Sequence, residues 1–238
     1  MRTTCPAGSS SRVAERPASA SRRAAIAALL ATAVGPALAR GPADAALLDA
    51  ASRGDLDGVR RALAAGASVA ARDAQQRTAL LAATYGNHPA VARALIDAGA
   101  DPNAQDSMRN SAFLLAGARG HLEILRMTLA AGADLRSVNR YGGTALIPAC
   151  HYGHVETVRE LLKTAIDVDH VNDLGWTALL EAVILGDGGA AHVEIVRLLL
   201  ERGASPSIAD RDGVTPLAHA RRRGQAAIER LLVRAGAR

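Results

Sequence analysis

Aromatic side chains are nearly missing from these 238 residues: one Phe, three Tyr and one Trp. Lysine occurs once, at Lys163, against 27 arginines, a bias of coding more than a sign of a site. Cysteine occurs twice, at Cys5 and Cys150. No lipobox surrounds Cys5, so lipidation is not expected. Once the N-terminal segment is removed, Cys150 stands alone, which excludes an intramolecular disulfide and leaves packing to hold the fold. The apolar stretch from Ala24 to Ala39 is too short to span a bilayer.

That stretch follows Arg2, Arg12, Arg16, Arg22 and Arg23, opposed only by Glu15, and closes on Ala37-Leu38-Ala39. A basic start, a short apolar run and a small-x-small site describe a secretory signal peptide over residues 1–39. Ser21-Arg22-Arg23 resembles a twin-arginine signal, although Ala25 stands where that motif usually has Phe, so both export routes stay open. The expected location is periplasmic or secreted after cleavage near Ala39. The segment carries a surplus of +4, so only +1 of the whole chain's +5 remains after it. A nucleic-acid groove needs a surplus of cations on one face, and none is left.

What is present is a word that returns every 33 positions: Thr78–Ala82 (TALLA), Ser111–Leu115 (SAFLL), Thr144–Pro148 (TALIP) and Thr177–Glu181 (TALLE). Twenty-one residues after each of the first three comes a second marker: Gly99-Ala100, Gly132-Ala133 and a degenerate Ala165-Ile166. It recurs at Gly66-Ala67, Gly203-Ala204 and Gly236-Ala237. A fixed period of this length predicts a stacked repeat array. After a linker at 40–45, six units span about 46–73, 74–106, 107–139, 140–172, 173–210 and 211–238. Each holds two short helical patterns; in the fourth, Val155, Val158, Leu161 and Leu162 form an apolar stripe opposite Glu156, Arg159 and Lys163. Units this small bury their apolar faces only against neighbours.

Thr215–Ala220 (TPLAHA), Gly120–Ile124 (GHLEI), Gly153–Glu156 (GHVE) and Gly99–Asn103 (GADPN) lie in one register. Over residues 46–237 the pattern resembles the ankyrin repeat. That resemblance implies an all-α solenoid of helix–turn–helix units with short β-hairpin-like loops, and a non-catalytic protein-binding function. Thr before each first helix suits an N-cap, Pro216 a first helical position, and Gly the helix ends. Asn87 stands where other units have Gly54, Gly120, Gly153 and Gly224. Leu81, Leu114, Ile147, Leu180 and Ala218 replace the family's first-helix His, so its Thr–His network is not carried over. The fifth unit carries five extra residues around Gly186–Ala190, between its helices.

Other chemistry finds little support. Gly186–Ala191 (GDGGAA) matches a dinucleotide fingerprint in letters but follows a helix, not a strand. His88, His121, His154 and His192 share one repeat position; neighbouring helices lie ~8–10 Å apart, whereas zinc needs nitrogens within ~2 Å. Asp167-Val168-Asp169 opens like a calcium loop that Val171 and a missing Gly break. Cys150 occupies a packed position, and no catalytic constellation stands apart from the repeat pattern. No cofactor or metal is expected.

The family's concave surface is built from hairpin tips and first helices. On that basis Tyr85, Met108, Arg109, Arg119, Tyr141, His151, Tyr152, Leu174, Trp176, Ile184 and Leu185 are the candidate protein contacts, with Phe113 assigned to the core. Tyr and Trp suit this role because they bury large area at low rotamer cost. The expected partner is an envelope protein bound by a monomer, with neither nucleic acid nor stable membrane insertion involved. The alternative is a periplasmic small-molecule or metal-binding protein using the insertion at 186–190 with His151 and Tyr152. Arg221, Arg222 and Arg223 suit a solubilising end cap at a helix C-terminus.

Overall fold

The computed structural model describes residues 41–238; the signal-peptide reading of residues 1–39 lies outside them. Among the described residues the chain forms twelve helices in six pairs. These are α1 Pro42–Arg53 with α2 Leu56–Ala64, α3 Ala79–Tyr85 with α4 Pro89–Asp97, and α5 Ala112–Arg119 with α6 Leu122–Ala130. Then come α7 Leu146–His151 with α8 Val155–Leu161, α9 Ala178–Ile184 with α10 Ala190–Glu201, and α11 Pro216–Arg222 with α12 Ala226–Arg234. First helices pack on first helices and second on second, giving two layers of an all-α solenoid. None of these helices is long and apolar enough to cross a membrane.

The core repeats with the sequence. Leu47, Leu80, Phe113, Leu146, Leu179 and Leu217 hold one position of the first helices and are buried in every unit. In the second helices Leu95, Leu161, Leu199 and Leu232 hold one buried position, which the first and third units fill with Ala62 and Thr128. Each such Leu or Phe side chain contributes about 1.5–3 kcal/mol by leaving water. Phe113 thus fills the core position assigned to it.

Thr78, Ser111, Thr177 and Thr215 cap their helices: each hydroxyl accepts the N–H three residues on, at 3.2–3.3 Å. Thr144 departs from this. Its Oγ1 is buried without a hydrogen-bond partner, and α7 starts only at Leu146. In α3 the Thr78 carbonyl accepts from Ala82 N at 2.9 Å; at the matching place Pro148 has no N–H to give, so the first turn does not close.

The segment read as a linker at 40–45 is helical from Pro42, because proline suits the first position of α1. Ala165 avoids the left-handed backbone that Gly66, Gly99, Gly132, Gly203 and Gly236 adopt. Instead α8 stops at Leu161, and Thr164 closes the end: its Oγ1 donates to Leu161 O at 2.6 Å and accepts from Ile166 N at 3.2 Å. Asn87 takes the left-handed conformation (φ 53°), as expected of the residue in that glycine position. The insertion is absorbed partly as helix: α10 runs 12 residues and starts before His192, whereas His88, His121 and His154 sit just outside α4, α6 and α8.

Candidate functional site

Five hairpins carry the surface opposite the second helices, and one device shapes them all. Asp73, Asp106, Asn139, Asn172 and Asp210 each accept, at Oδ1, the N–H groups two and four residues later, at 2.8–3.1 Å. A short side-chain oxygen in this place substitutes for the next strand and fixes the tip. The third tip residue has positive φ in every unit: Gly142, Gly175 and Gly213, but also Gln76 (φ 64°) and Arg109 (φ 58°). Adjacent tips are tied by Ser107 N to Gln75 O at 3.1 Å and Asp173 N to Tyr141 O at 2.9 Å.

Between these tips and the first helices runs a groove of about 940 Å³. It brings together eight of the eleven expected contacts: Tyr85, Met108, Arg119, Tyr141, His151, Tyr152, Leu174 and Leu185. Helical spacing explains the selection. Leu115 and Arg119, Pro148 and Tyr152, and Glu181 and Leu185 are pairs four apart on one face. Ile184, one residue short of that face, is half-buried and does not line the groove. Arg109 is exposed at its tip and Trp176 half-buried at the base of its hairpin, and both also lie outside the lining.

Seven large hydrophobic residues are exposed among the described residues, and five of them line this groove. Met108, Tyr141, Tyr152, Leu174 and Leu185 are each 41–61% accessible. Contiguous apolar exposure of this kind marks binding surface, whereas scattered apolar residues do not.

Two arginines stiffen the middle of the groove. The Arg119 guanidinium lies 5.1 Å from the Tyr85 ring centre, and Asn110 Nδ2 donates to the Tyr85 hydroxyl at 3.1 Å. Arg140 lies 4.6 Å over Tyr141 and donates to its hydroxyl at 2.7 Å. The other end is different. His151 and Tyr152 stack at 4.2 Å, nearly parallel, beside Glu181, whose side chain is only 9% exposed. Asn172 Nδ2 donates to Glu181 Oε1 at 3.0 Å. Oε2 has His151 Nδ1 at 3.7 Å, beyond hydrogen-bond reach. Burial pushes the Glu181 carboxyl up to about 7, against the stabilising hydrogen bond from Asn172. Burial also lowers the His151 imidazole and pushes the Cys150 thiol well up, with Glu181 adding to the latter. A buried thiol so far from ionising is a packing group, not a nucleophile.

Glu181 is the groove residue that the repeat pattern should have exposed. It stands where the three units before it place Ala82, Leu115 and Pro148, although the two end units have Asp49 and His219 there, so a carboxylate breaks the apolar run of the middle units. The Asp/Asn of each hairpin was equally legible, at 73, 106, 139, 172 and 210.

The histidine row stitches units together. His88 Nε2 contacts Ser52 O at 3.3 Å, His154 bonds the Ala118 backbone, and His192 Nε2 contacts His151 O at 2.9 Å. His121 makes no such bond; its Nε2 is buried and unpartnered, while Arg119 Nη1 takes the matching Tyr85 carbonyl at 3.2 Å. A Cβ on Gly54 or Gly120 would come within 2.6–2.7 Å of the His88 or His154 ring, and Asn87 places a Cβ there. In the insertion, Asp187 Oδ1 lies 2.8 Å from His192 Nδ1 and accepts Gly189 N at 2.8 Å, closing the loop on itself. No group of three His, Cys, Asp or Glu among the described residues is arranged to hold a metal ion.

Family models described as "Ankyrin repeats (many copies)" and "Ankyrin repeats (3 copies)" match residues 47–96 and 112–210. The chain is 54% identical over 57 residues to the ankyrin repeat protein YahD of Escherichia coli (strain K12), spanning 24% of this chain and 28% of that relative's length. Among solved structures, an ankyrin repeat domain from Acinetobacter baumannii AYE is 55% identical, with a TM-score of 0.78 over 81% of this chain and 98% of that one. The ankyrin repeat protein EF0377 is 42% identical, with a TM-score of 0.77 over 80% and 97%. The ankyrin repeat domain of Bcl-3, a member of the IkappaB family, is 32% identical, with a TM-score of 0.72 over 81% and 86%. With the repeat, the hairpins and the two helix layers all in register, the chain belongs to the ankyrin-repeat family.

Proposed function

We propose that this chain is an adaptor or scaffold that binds another protein through the groove, as a monomer, outside the bacterial cytoplasm. Ankyrin repeats are generally protein-binding, non-catalytic modules. The observation that carries the reading here is the collection, among the described residues, of five of seven exposed large hydrophobics on one groove. The location is supported by the basic, apolar and small-x-small order of residues 1–39.

Two experiments test it. Fractionation of cells carrying the full chain should recover a form cleaved near Ala39 outside the cytoplasm; uncleaved chain confined to the cytosol would remove the location. Replacing Leu174 and Leu185 with serine should weaken affinity for the protein partner at least ~10-fold, as loss of two exposed apolar anchors does. Unchanged affinity would move the interface elsewhere.

A further inference from the structure

We propose that the end of the groove formed by Glu181, His151, Tyr152, Leu174 and Leu185 receives an arginine side chain of the partner. This rests on the groove being the docking face, and adds the chemistry of what docks. A carboxylate removed from water is costly unless a cation or donors meet it. Within this chain Glu181 is met only by half: Oε1 is held by Asn172, and among the described residues nothing donates to Oε2. Its one basic neighbour within ion-pair range is His151, at 3.7 Å. Neither groove arginine reaches it, since Arg119 is engaged on Tyr85 and Arg140 on Tyr141. Folding does not require a carboxylate at this position: the other units fill it with Asp49, Ala82, Leu115, Pro148 and His219, and of these the three inner ones carry no charge.

The surroundings select the cation. Leu174 and Leu185, both exposed, offer apolar walls for a hydrocarbon stem. Tyr152, stacked on His151 and 61% accessible, offers a flat ring face beside the carboxylate. A guanidinium stacks on such a face while donating in its plane to an oxygen, whereas a lysine ammonium is a strongly hydrated point charge that gains less there. A metal ion does not fit, because a single free carboxylate oxygen supplies too few ligands.

The probe is N-acetyl-arginine amide, compared with its uncharged isostere N-acetyl-citrulline amide, followed by NMR on the full chain. The arginine probe should move the Asn172 side-chain amide and the Tyr152 ring saturably, with a dissociation constant on the order of millimolar for so small a ligand. Citrulline should bind at least ~10-fold more weakly. Glu181→Gln, which keeps an oxygen for Asn172, should abolish the arginine shifts with its own melting transition intact. Leu174→Ser, which leaves the carboxylate in place, should weaken the probe severalfold. Equal response to both probes, or arginine shifts that survive in Glu181→Gln, would overturn the assignment. A protein partner captured in the groove with no arginine response would overturn it too, while leaving the docking face standing; an arginine response without any captured partner would do the reverse.

Discussion

Glu181 carries the clearest residue-scale consequence. His151, Cys150 and Asn172 are the groups that face it, and burial raises its carboxyl to about 7. The folded chain therefore holds this proton more tightly than the unfolded one, whose value stays near 4.5. The penalty is absent below the unfolded value, grows as pH rises between the two, and is full above about 7. Glu181→Gln should leave stability unchanged near pH 4 and raise it at pH 8 by at most about 3 kcal/mol, at about 1.4 kcal/mol per pH unit. Urea titrations at the two pH values check this; an equal gain at both would contradict the burial account. Arg109 gives a second case. Its positive φ costs roughly 1–2 kcal/mol for a residue with a Cβ, so Arg109→Gly should raise stability by about 1 kcal/mol after glycine's entropy is counted. Thermal unfolding measures it, and a loss would mean the arginine side chain holds the tip. Tip strain was illegible in the sequence because Gln76 and Arg109 replace the glycines that mark the other units.

At the scale of the element, one hydroxyl position separates two outcomes. Thr177 caps α9 and Thr144 caps nothing, though both are buried. Thr177→Val should cost about 1 kcal/mol and Thr144→Val close to nothing or a small gain, because the latter removes an unpaired buried oxygen. Equal losses in denaturant unfolding would show that Thr144 finds a partner. The second helix row offers a parallel test. Asn87→Gly removes the Cβ that keeps His121 from the place its sister histidines take, and relieves a left-handed backbone. We expect a gain of about 1 kcal/mol with His121 newly protected from solvent exchange; a loss in the denaturant midpoint would contradict it. Here the sequence was half legible. Periodicity showed Thr144 and His121 in their registers, but their failed bonds come from Pro148 and Asn87, residues whose effect appears only when one turn is laid on the next.

For the whole molecule, a 33-residue spacing, broken by the insertion in the fifth unit, made the solenoid, the buried first-helix row and most of the groove readable from the sequence. Repeat register works because every unit repeats the same contacts, so a position in one reports on all. It failed where the array departs from repetition: the start of α1 at Pro42, the extra turn of α10, and the buried Glu181. In the proposed function the groove, not the outer helix layer, meets another protein. Photocrosslinking in cells from Tyr152 and Tyr141, with Lys163, just past the end of α8 and outside the groove lining, as control, is the first test. The account predicts one discrete protein adduct from both tyrosine positions and none from Lys163, lost when Leu174 and Leu185 are replaced with serine. Equal adducts from all three positions, or an adduct from Lys163 alone, would contradict it.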